Sequence, residues 1–441
     1  MMFSLGNAFH VSISKLLATL YSVLSVLGGG IFYHDTLPQA PADFTPVVRF
    51  AVCSDVHING DPNQTEAVRF GKLIRFMNDY SDAQEYKGFD ALCVCGDFTN
   101  SGAAEEYDVF NSVIAENLRE GTQLLTCMGN HEFISTRDKD PRLACRLYEE
   151  KMGGSLNTSV KINGYHFILC SYDETGSTFI GRTPWLEKQL FSAVKDTGDK
   201  PVFVFQHPAP FGTIYGSVNW GDASIPAVLG KYPQAVDFSG HSHYPVNDPR
   251  SIWQGGYTAL GCGTLSYFET ELDGIDGQFP YSYKEAAQFY IVEADAEGNV
   301  RVMPYDLITD SFFDNAYYLT ELACRNYEYS YLKMKQRDPA PAFPADTQIS
   351  TELSANGDTI LRFTGAKDRF VVESYKLSVT KNGITVADDN FSGKYMYLFE
   401  DDSYTVNLGK LQSGKTYCVS ITAMNAFAEL SKPLTYSFTA K

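Results

Sequence analysis

The chain has 441 residues, 44% hydrophobic and 20% charged, the balance of a soluble globular protein long enough for two or three domains with separate cores. Thirty-five Lys and Arg against 53 Asp and Glu leave a net charge of −18, a surface that repels polyanions and argues against DNA or RNA as a partner. A small anionic ester is still compatible, provided bound cations reverse the field locally.

Lys15 precedes a largely apolar run from Leu16 to Phe32, interrupted by Thr19, Ser22, Ser25 and the Gly28-Gly29-Gly30 triplet. The run is marginal for a span of about 20 residues. Residues 1–45 are therefore expected to be an apolar helix or a signal- or anchor-like extension, with membrane association through residues 16–32. The corresponding location is the cell envelope or the exterior, with the cytoplasm as the alternative. From Pro46 the pattern becomes short apolar strands separated by longer mixed segments. Val47–Cys53, Ala91–Cys95, Gln123–Met128, Tyr165–Ser171, Pro201–Gln206 and Ala235–Ser239 read as strands, while Ala67–Asn78 and Ala104–Leu118 carry helical periodicity. Strands alternating with helices predict a layered α/β domain over residues 46–310. Five of the nine cysteines, Cys53, Cys93, Cys95, Cys127 and Cys170, fall inside these apolar runs and read as core residues. No disulfide framework is expected, which suits a reducing or anaerobic setting.

Residues 311–345 are expected to hold a helix and a stiff linker, since Asp338-Pro339-Ala340-Pro341-Ala342-Phe343-Pro344 carries three prolines. Beyond it the helical signal disappears, and Thr359–Phe363, Tyr375–Thr380, Tyr404–Leu408, Tyr417–Ala423 and Leu434–Thr439 read as strands, with Asn382-Gly383 as a hairpin turn. Residues 346–441 are thus expected to form an all-β sandwich, and Leu411, Gly414 and Tyr417 resemble the tyrosine corner of fibronectin type III modules.

Eight histidines occur in the chain, and five of them stand just after or at the end of predicted strands, together with carboxylates. In order the blocks are Asp55-Val56-His57, Gly96-Asp97, Gly129-Asn130-His131-Glu132, His207, and Gly240-His241-Ser242-His243. Imidazole nitrogen and carboxylate oxygen suit divalent cations such as manganese, iron or zinc. In extended backbone, residues two apart share a side, so Asp55 with His57, and His241 with His243, are expected to face one pocket. Gly96, Gly129 and Gly240 are expected to let the chain turn sharply there.

This series resembles the metallophosphoesterase, or calcineurin-like, superfamily, whose signature runs D-x-H, G-D, G-N-H-E/D, H and G-H-x-H. The resemblance implies a β-sandwich flanked by helices as the catalytic domain and two divalent metal ions. It implies Asp55, His57, Asp97 and His243 as ligands of one ion, with Asp97 bridging to a second held also by Asn130, His207 and His241. His131 is then similar to the residue that protonates the leaving oxygen, with Glu132 expected to orient its imidazole. The reaction implied is hydrolysis of a small phosphodiester or phosphomonoester by metal-bridged hydroxide attacking phosphorus. The alternative is a cell-surface binding module on a non-catalytic scaffold of this kind. Asn219, Trp220, Tyr244, Tyr267 and Arg137 neighbour the motif loops as further pocket residues, whereas His166 reads as a strand histidine and His10 and His34 belong to the N-terminal extension.

Overall fold

The computed structural model describes residues 37–136 and 140–441, so the predicted helix over 16–32, His10, His34 and Arg137 lie outside the described residues. The chain divides into two units, one formed by the chain up to Thr270 with Ser282–Lys333, the other by Glu271–Tyr281 with Met334–Lys441.

In the first unit the strands are β1 (Pro46–Cys53), β2 (Ala91–Cys95), β3 (Gln123–Cys127), β4 (Asn157–Ile162), β5 (Tyr165–Cys170), β6 (Val202–Pro208), β7 (Ala235–Gly240), β8 (Ile252–Gln254) and β9 (Thr258–Gly261). After a hairpin that falls almost wholly in the second unit, β10 (Thr270–Leu272) and β11 (Ile275–Gln278), the first unit continues with β12 (Gln288–Asp295), β13 (Val300–Asp306), β14 (Ser311–Phe312) and β15 (Tyr317–Leu319). One sheet has the order β14-β13-β12-β1-β2-β3 with β15 also on β13, and the other runs β4-β5-β6-β7-β9-β8. Strands β14 and β15 fall within the stretch read from sequence as helix and linker. The linker reading followed the prolines further on and had no signal for these two- and three-residue strands.

The two sheets face each other through aromatic side chains. Phe50 of β1 meets Phe167 of β5 at 4.9 Å and Phe203 of β6 at 4.8 Å between ring centroids, both edge to face. Because β1, β2, β5, β6 and β7 are covered on both sides, they are largely apolar, although β1 carries Arg49 and β7 carries Asp237. Helix α1 (Thr65–Ala83) lies on the outer face of the first sheet, where its Phe76 stacks on Tyr305 of β13 at 4.0 Å. Helix α2 (Ala104–Asn117) begins where Glu106 turns back to accept N–H bonds from Ser101 (2.7 Å) and Ala103 (3.2 Å). The expected β-sandwich flanked by helices is therefore the observed architecture of this unit.

All nine cysteines are free thiols, and the five read as core residues are buried. No helix among the described residues is long and apolar enough to cross a membrane.

The second unit is strand-rich. A three-stranded sheet joins β16 (Ile349–Leu353), β17 (Thr359–Thr364) and β20 (Ser403–Asn407), and a four-stranded sheet has the order β19 (Ile384–Ser392), β18 (Val372–Lys381), β21 (Thr416–Asn425), β22 (Leu434–Thr439). Alternating burial along β21, from Tyr417 through Val419 and Ile421 to Ala423, shows one face of that sheet turned to a core shared with Leu361 and Phe363. The Tyr417 hydroxyl accepts the N–H of Gln412 at 3.1 Å, five residues upstream.

Candidate metal centre

Strands β1, β2 and β3 are parallel neighbours in one sheet, and β6 and β7 are parallel neighbours in the other. The predicted ligands leave the carboxyl ends of these strands, the edge at which loops from several strands can converge. Asp55 and His57 follow β1, Asp97 follows β2, Asn130 and His131 follow β3, His207 sits near the end of β6, and His241 and His243 follow β7.

The structure brings these residues together, although not through extended backbone. Asp55, His57, Asp97, His241 and His243 all have positive φ, at 53°, 55°, 47°, 71° and 57°. Each is a left-handed position, uncommon for any residue but glycine and best tolerated by Asn, Asp and His. The expectation of same-side projection along a strand is corrected accordingly: tight left-handed turns aim the side chains inward. Two of the loops run side by side, with the Asp55 amide donating to the Gly96 carbonyl at 3.3 Å and the His57 amide to the Asp97 carbonyl at 3.0 Å.

Of the three glycines, only Gly96 has a positive φ, 82°. Gly129 and Gly240 serve close approach instead. A Cβ on Gly129 would lie 2.2 Å from Asp97 Oδ1, and one on Gly240 would lie 1.9 Å from Ser54 Oγ and 2.3 Å from Asp55 Oδ2.

Two groups of ligand atoms result, linked through the nearby His57 and Asp97. Asp55, His57 and His243 form one, and Asp97, His207 and His241 the other, with the ligand atoms of each group lying within 4.8 Å of one another. His243 Nε2 is 3.1 Å from Asp55 Oδ1 and 3.3 Å from His57 Nε2. His207 Nε2 is 3.0 Å from Asp97 Oδ2 and 3.1 Å from Asn130 Oδ1, while its distance to Asp55 Oδ1 is 4.0 Å. Atoms bound about 2.1 Å from a common ion are spaced about 3.0–3.5 Å apart, so both groups fit a divalent cation. Beyond His243 Nε2, the buried Asp55 Oδ1 has no hydrogen-bond donor among the described residues, which leaves it open to a cation. His57, Asp97 and His131 form a third group within the same spacing.

The rings are held by backbone carbonyls. His207 Nδ1 donates to Cys95 O at 2.8 Å, His243 Nδ1 to Tyr267 O at 3.0 Å, and His131 Nδ1 to Asn100 O at 2.7 Å. In each ring this directs Nε2 into the cluster. The His131 amide also donates to Asp97 Oδ1 at 2.8 Å, and the His241 amide to Asp55 Oδ2 at 3.0 Å, which leaves the other oxygen of each carboxylate facing the histidines.

Burial and charge set the protonation states without metal. Burial opposes ionisation of Asp55 and Asp97, but the adjoining His243 and His207 overcome it and hold both carboxyls well below the usual range. Burial and the neighbouring His243 push His57 down to about 3, and burial and His207 push His241 down to about 4. Burial would lower His207 and His243 as well, yet Asp97 raises the first to about 9 and Asp55 raises the second.

Glu132 does not touch the His131 ring. Its buried carboxylate accepts the amides of Asp97 (3.0 Å), Thr99 (2.9 Å) and Gly129 (2.6 Å) and the Thr99 hydroxyl (2.9 Å). The expected orienting partner of His131 is replaced by a main-chain carbonyl, and Glu132 ties two ligand loops together. No residue-type signal could have revealed the carbonyls of Cys95, Asn100 and Tyr267. Tyr267 also stacks on His243 at 4.1 Å, Trp220 meets His241 edge to face at 5.7 Å, and Tyr244 contacts Tyr215 at 4.3 Å. Asn219 lies exposed in the short helix Ser217–Trp220. His166, on β5, is 2.7 Å from Asp196 and takes no part in the cluster.

Among solved structures, the chain is similar to a purple acid phosphatase from yellow lupin (Lupinus luteus) seeds at 12% identity and a TM-score of 0.43, covering 67% of this chain and 56% of that one. PhoD is similar at 12% identity and a TM-score of 0.35, covering 65% of this chain and 70% of that one. A myokine is similar at 16% identity and a TM-score of 0.17, over 23% of this chain and 98% of that one. No curated protein matches the chain. Residues 48–245 match the family model described as calcineurin-like phosphoesterase, and every predicted ligand from Asp55 to His243 falls between those limits. The ligand cluster therefore lies inside the stretch that matches the calcineurin-like phosphoesterase family model.

Proposed function

We propose that the protein is a hydrolase of phosphate esters that works with two divalent cations, and that its substrate is a small phosphodiester or phosphomonoester. The observation that carries this reading is the pair of neighbouring ligand groups, Asp55-His57-His243 and Asp97-His207-His241, linked through His57 and Asp97, in a stretch matching phosphoesterases. Asp97 would serve both ions and Asn130 would join the second set, with manganese, iron or zinc suited to such nitrogen and oxygen donors. Cations bound there would make water acidic enough to attack phosphorus at neutral pH and would neutralise charge gathering on the phosphoryl oxygens. The chain's own contribution begins with Asp97, whose Oδ1 is already engaged by the His131 amide so that Oδ2 is turned to His207. His131, its Nδ1 committed to the Asn100 carbonyl, presents Nε2 as the atom from which a proton passes to the leaving oxygen. Glu132 positions Asp97 and Asn130 by joining the loops that carry them.

The test is hydrolysis of bis(p-nitrophenyl) phosphate and p-nitrophenyl phosphate by the manganese-loaded protein. Turnover of either supports the proposal, and their relative rates report diester or monoester preference. Absence of both activities in protein shown to hold two ions would favour a non-catalytic scaffold.

The second unit is read as a fibronectin type III-like module. What supports this is its three- and four-stranded sheets, together with the Tyr417 hydroxyl held on the Gln412 amide.

A further inference from the structure

The first group of ligands leans on a segment outside the residues that match the phosphoesterase family model, which end at 245. Thr264 to Tyr267 follow β9 after Gly263, which turns the chain with a φ of 68°. The main-chain carbonyl of Asp55 accepts bonds there from Ser266 Oγ at 3.0 Å, Thr264 Oγ1 at 3.2 Å and the Leu265 amide at 3.3 Å. Thr264 is fully buried and Ser266 nearly so. The next residue, Tyr267, takes His243 Nδ1 on its carbonyl at 3.0 Å and stacks its ring on that imidazole at 4.1 Å, while the Glu269 amide donates to the His243 carbonyl at 3.2 Å.

Asp55 and His243 both stand in left-handed backbone, at φ 53° and 57°, which persists only where the surroundings fix it. Two buried hydroxyls aimed at the Asp55 carbonyl fix that turn, and the Tyr267 carbonyl sets the His243 ring so that Nε2 reaches Asp55 Oδ1 at 3.1 Å. The segment is itself braced, because the Gln288 amide of β12 donates to the Thr264 carbonyl at 2.9 Å and Arg69 of α1 directs Nη1 to the Ser266 carbonyl at 3.2 Å. The second group draws on other anchors: His207 on the Cys95 carbonyl and Asp97 on Glu132.

We infer that Thr264 and Ser266 are positioning residues for one ion of the pair. Their hydroxyls set the Asp55 turn, and through it the filling of the position formed by Asp55, His57 and His243, with little hold on the position formed by Asp97, His207 and His241. The inference rests on the reading that two ions bind here. Partners one bond removed from a ligand change metal affinity about 10–100-fold when lost.

The experiment titrates manganese into the full chain and follows metal content, electron paramagnetic resonance and hydrolysis of the p-nitrophenyl esters. Wild-type protein is expected to take up two ions and to give the signal of an exchange-coupled pair. Ser266→Ala and Thr264→Val should each weaken one ion about 10–100-fold and leave the other bound, so that isolated manganese is seen at low metal and the coupled signal returns with hydrolysis at high metal. Thr264→Val keeps the side-chain shape without the hydroxyl, whereas Thr264→Ser keeps the hydroxyl and should behave as the wild type; that contrast decides the matter if Ser266→Ala fails to fold. Undiminished uptake of both ions by Thr264→Val, equal weakening of both, or a Thr264→Ser variant as impaired as Thr264→Val would overturn the inference. A wild-type chain holding fewer than two ions would overturn the two-ion reading, and this inference with it.

Discussion

The Asp97 amide donates to the Glu132 carboxylate at 3.0 Å, and the same carboxylate takes the Gly129 amide at 2.6 Å, so one buried side chain fastens the loop after β2 to the loop after β3. Glu132→Gln exchanges one of those acceptor oxygens for an NH2 group facing main-chain N–H donors. The expected result is a stability loss of about 1–3 kcal/mol and weaker retention of both metals, read by thermal denaturation and by metal content after dialysis. A variant that kept both metals and its Tm while losing only turnover would show that Glu132 acts on His131 instead.

His131→Ala removes the side chain assigned to proton donation but none of the seven assigned ligands. Turnover should fall about 10²–10⁴-fold with metal content unchanged by elemental analysis. Equal loss of metal would make His131 a ligand, consistent with its place in the third group of potential ligands. Asp97→Asn should instead weaken both metal positions together.

Metal uptake should depend on pH through His207 and His243. His57 and His241 are pushed down to about 3 and about 4, so both are neutral at pH 7 in metal-free protein, whereas His207 is raised to about 9 and His243 is also raised. A metal must displace the protons they hold, so affinity should climb with pH, about tenfold per unit for each proton released, until about pH 9. Potentiometric titration with manganese measures the release. In the metal-free fold the contribution of His207 is stabilising in full below its ordinary value of about 6.5 and is lost as pH rises through about 9. Melts of chelator-treated protein should therefore weaken over that interval, and metal-loaded protein should not.

Gly240→Ala is expected to disable the site despite its small size. The added carbon would sit 1.9 Å from Ser54 Oγ and 2.3 Å from Asp55 Oδ2, and the fully buried Ser54 hydroxyl is committed to the Cys95 carbonyl at 2.9 Å. Loss of the Asp55-His57-His243 ion with circular dichroism otherwise preserved is the expected reading. Full metal content would show that the loop can yield.

Asp237, on β7, is fully buried, and its carboxyl is pushed well above the ordinary value by that burial. Gln206 Nε2 donates to its Oδ1 at 2.7 Å, while Asp237 Oδ2 and Gln206 Oε1 both lack a donor. A proton on Oδ2 supplies one. Because the unfolded chain ionises near pH 4, folding takes up that proton, and stability declines as pH rises above about 4. Asp237→Asn carries the needed N–H permanently, so its Tm at pH 8 should match or exceed that of the wild type, with a flatter pH profile. A marked fall in Tm at pH 8 would indicate that Asp237 is ionised.

The strands that launch the ligands were legible because burial on both sides leaves mostly apolar runs: Val47–Cys53, with Arg49 inside it, Ala91–Cys95, and Ala235–Ser239, with Asp237 inside it, all recur in the observed strands. Strand β12, buried throughout, was not read from sequence, and it carries Glu293. The structure neutralises it with Arg49 at 2.6 Å, from the neighbouring strand β1. The site residues were recognisable as residue types in order, but their backbone was not. Left-handed turns at Asp55 and His241 depend on which main-chain groups meet them, and the role of Glu132 depends on N–H donors that every residue carries.

The left-handed backbone at Asp55, His57, Asp97, His241 and His243 also governs how the site should be dissected. Alanine at any of the five deletes the donor atom and, in the same stroke, installs a residue with little tolerance for that conformation, so loop distortion and lost coordination become inseparable. Asparagine accepts such torsions nearly as readily as aspartate or histidine. An asparagine scan should isolate the electrostatic part of each side chain's contribution, and the gap between the asparagine and alanine versions would gauge how much of the geometry the polypeptide imposes before any ion arrives.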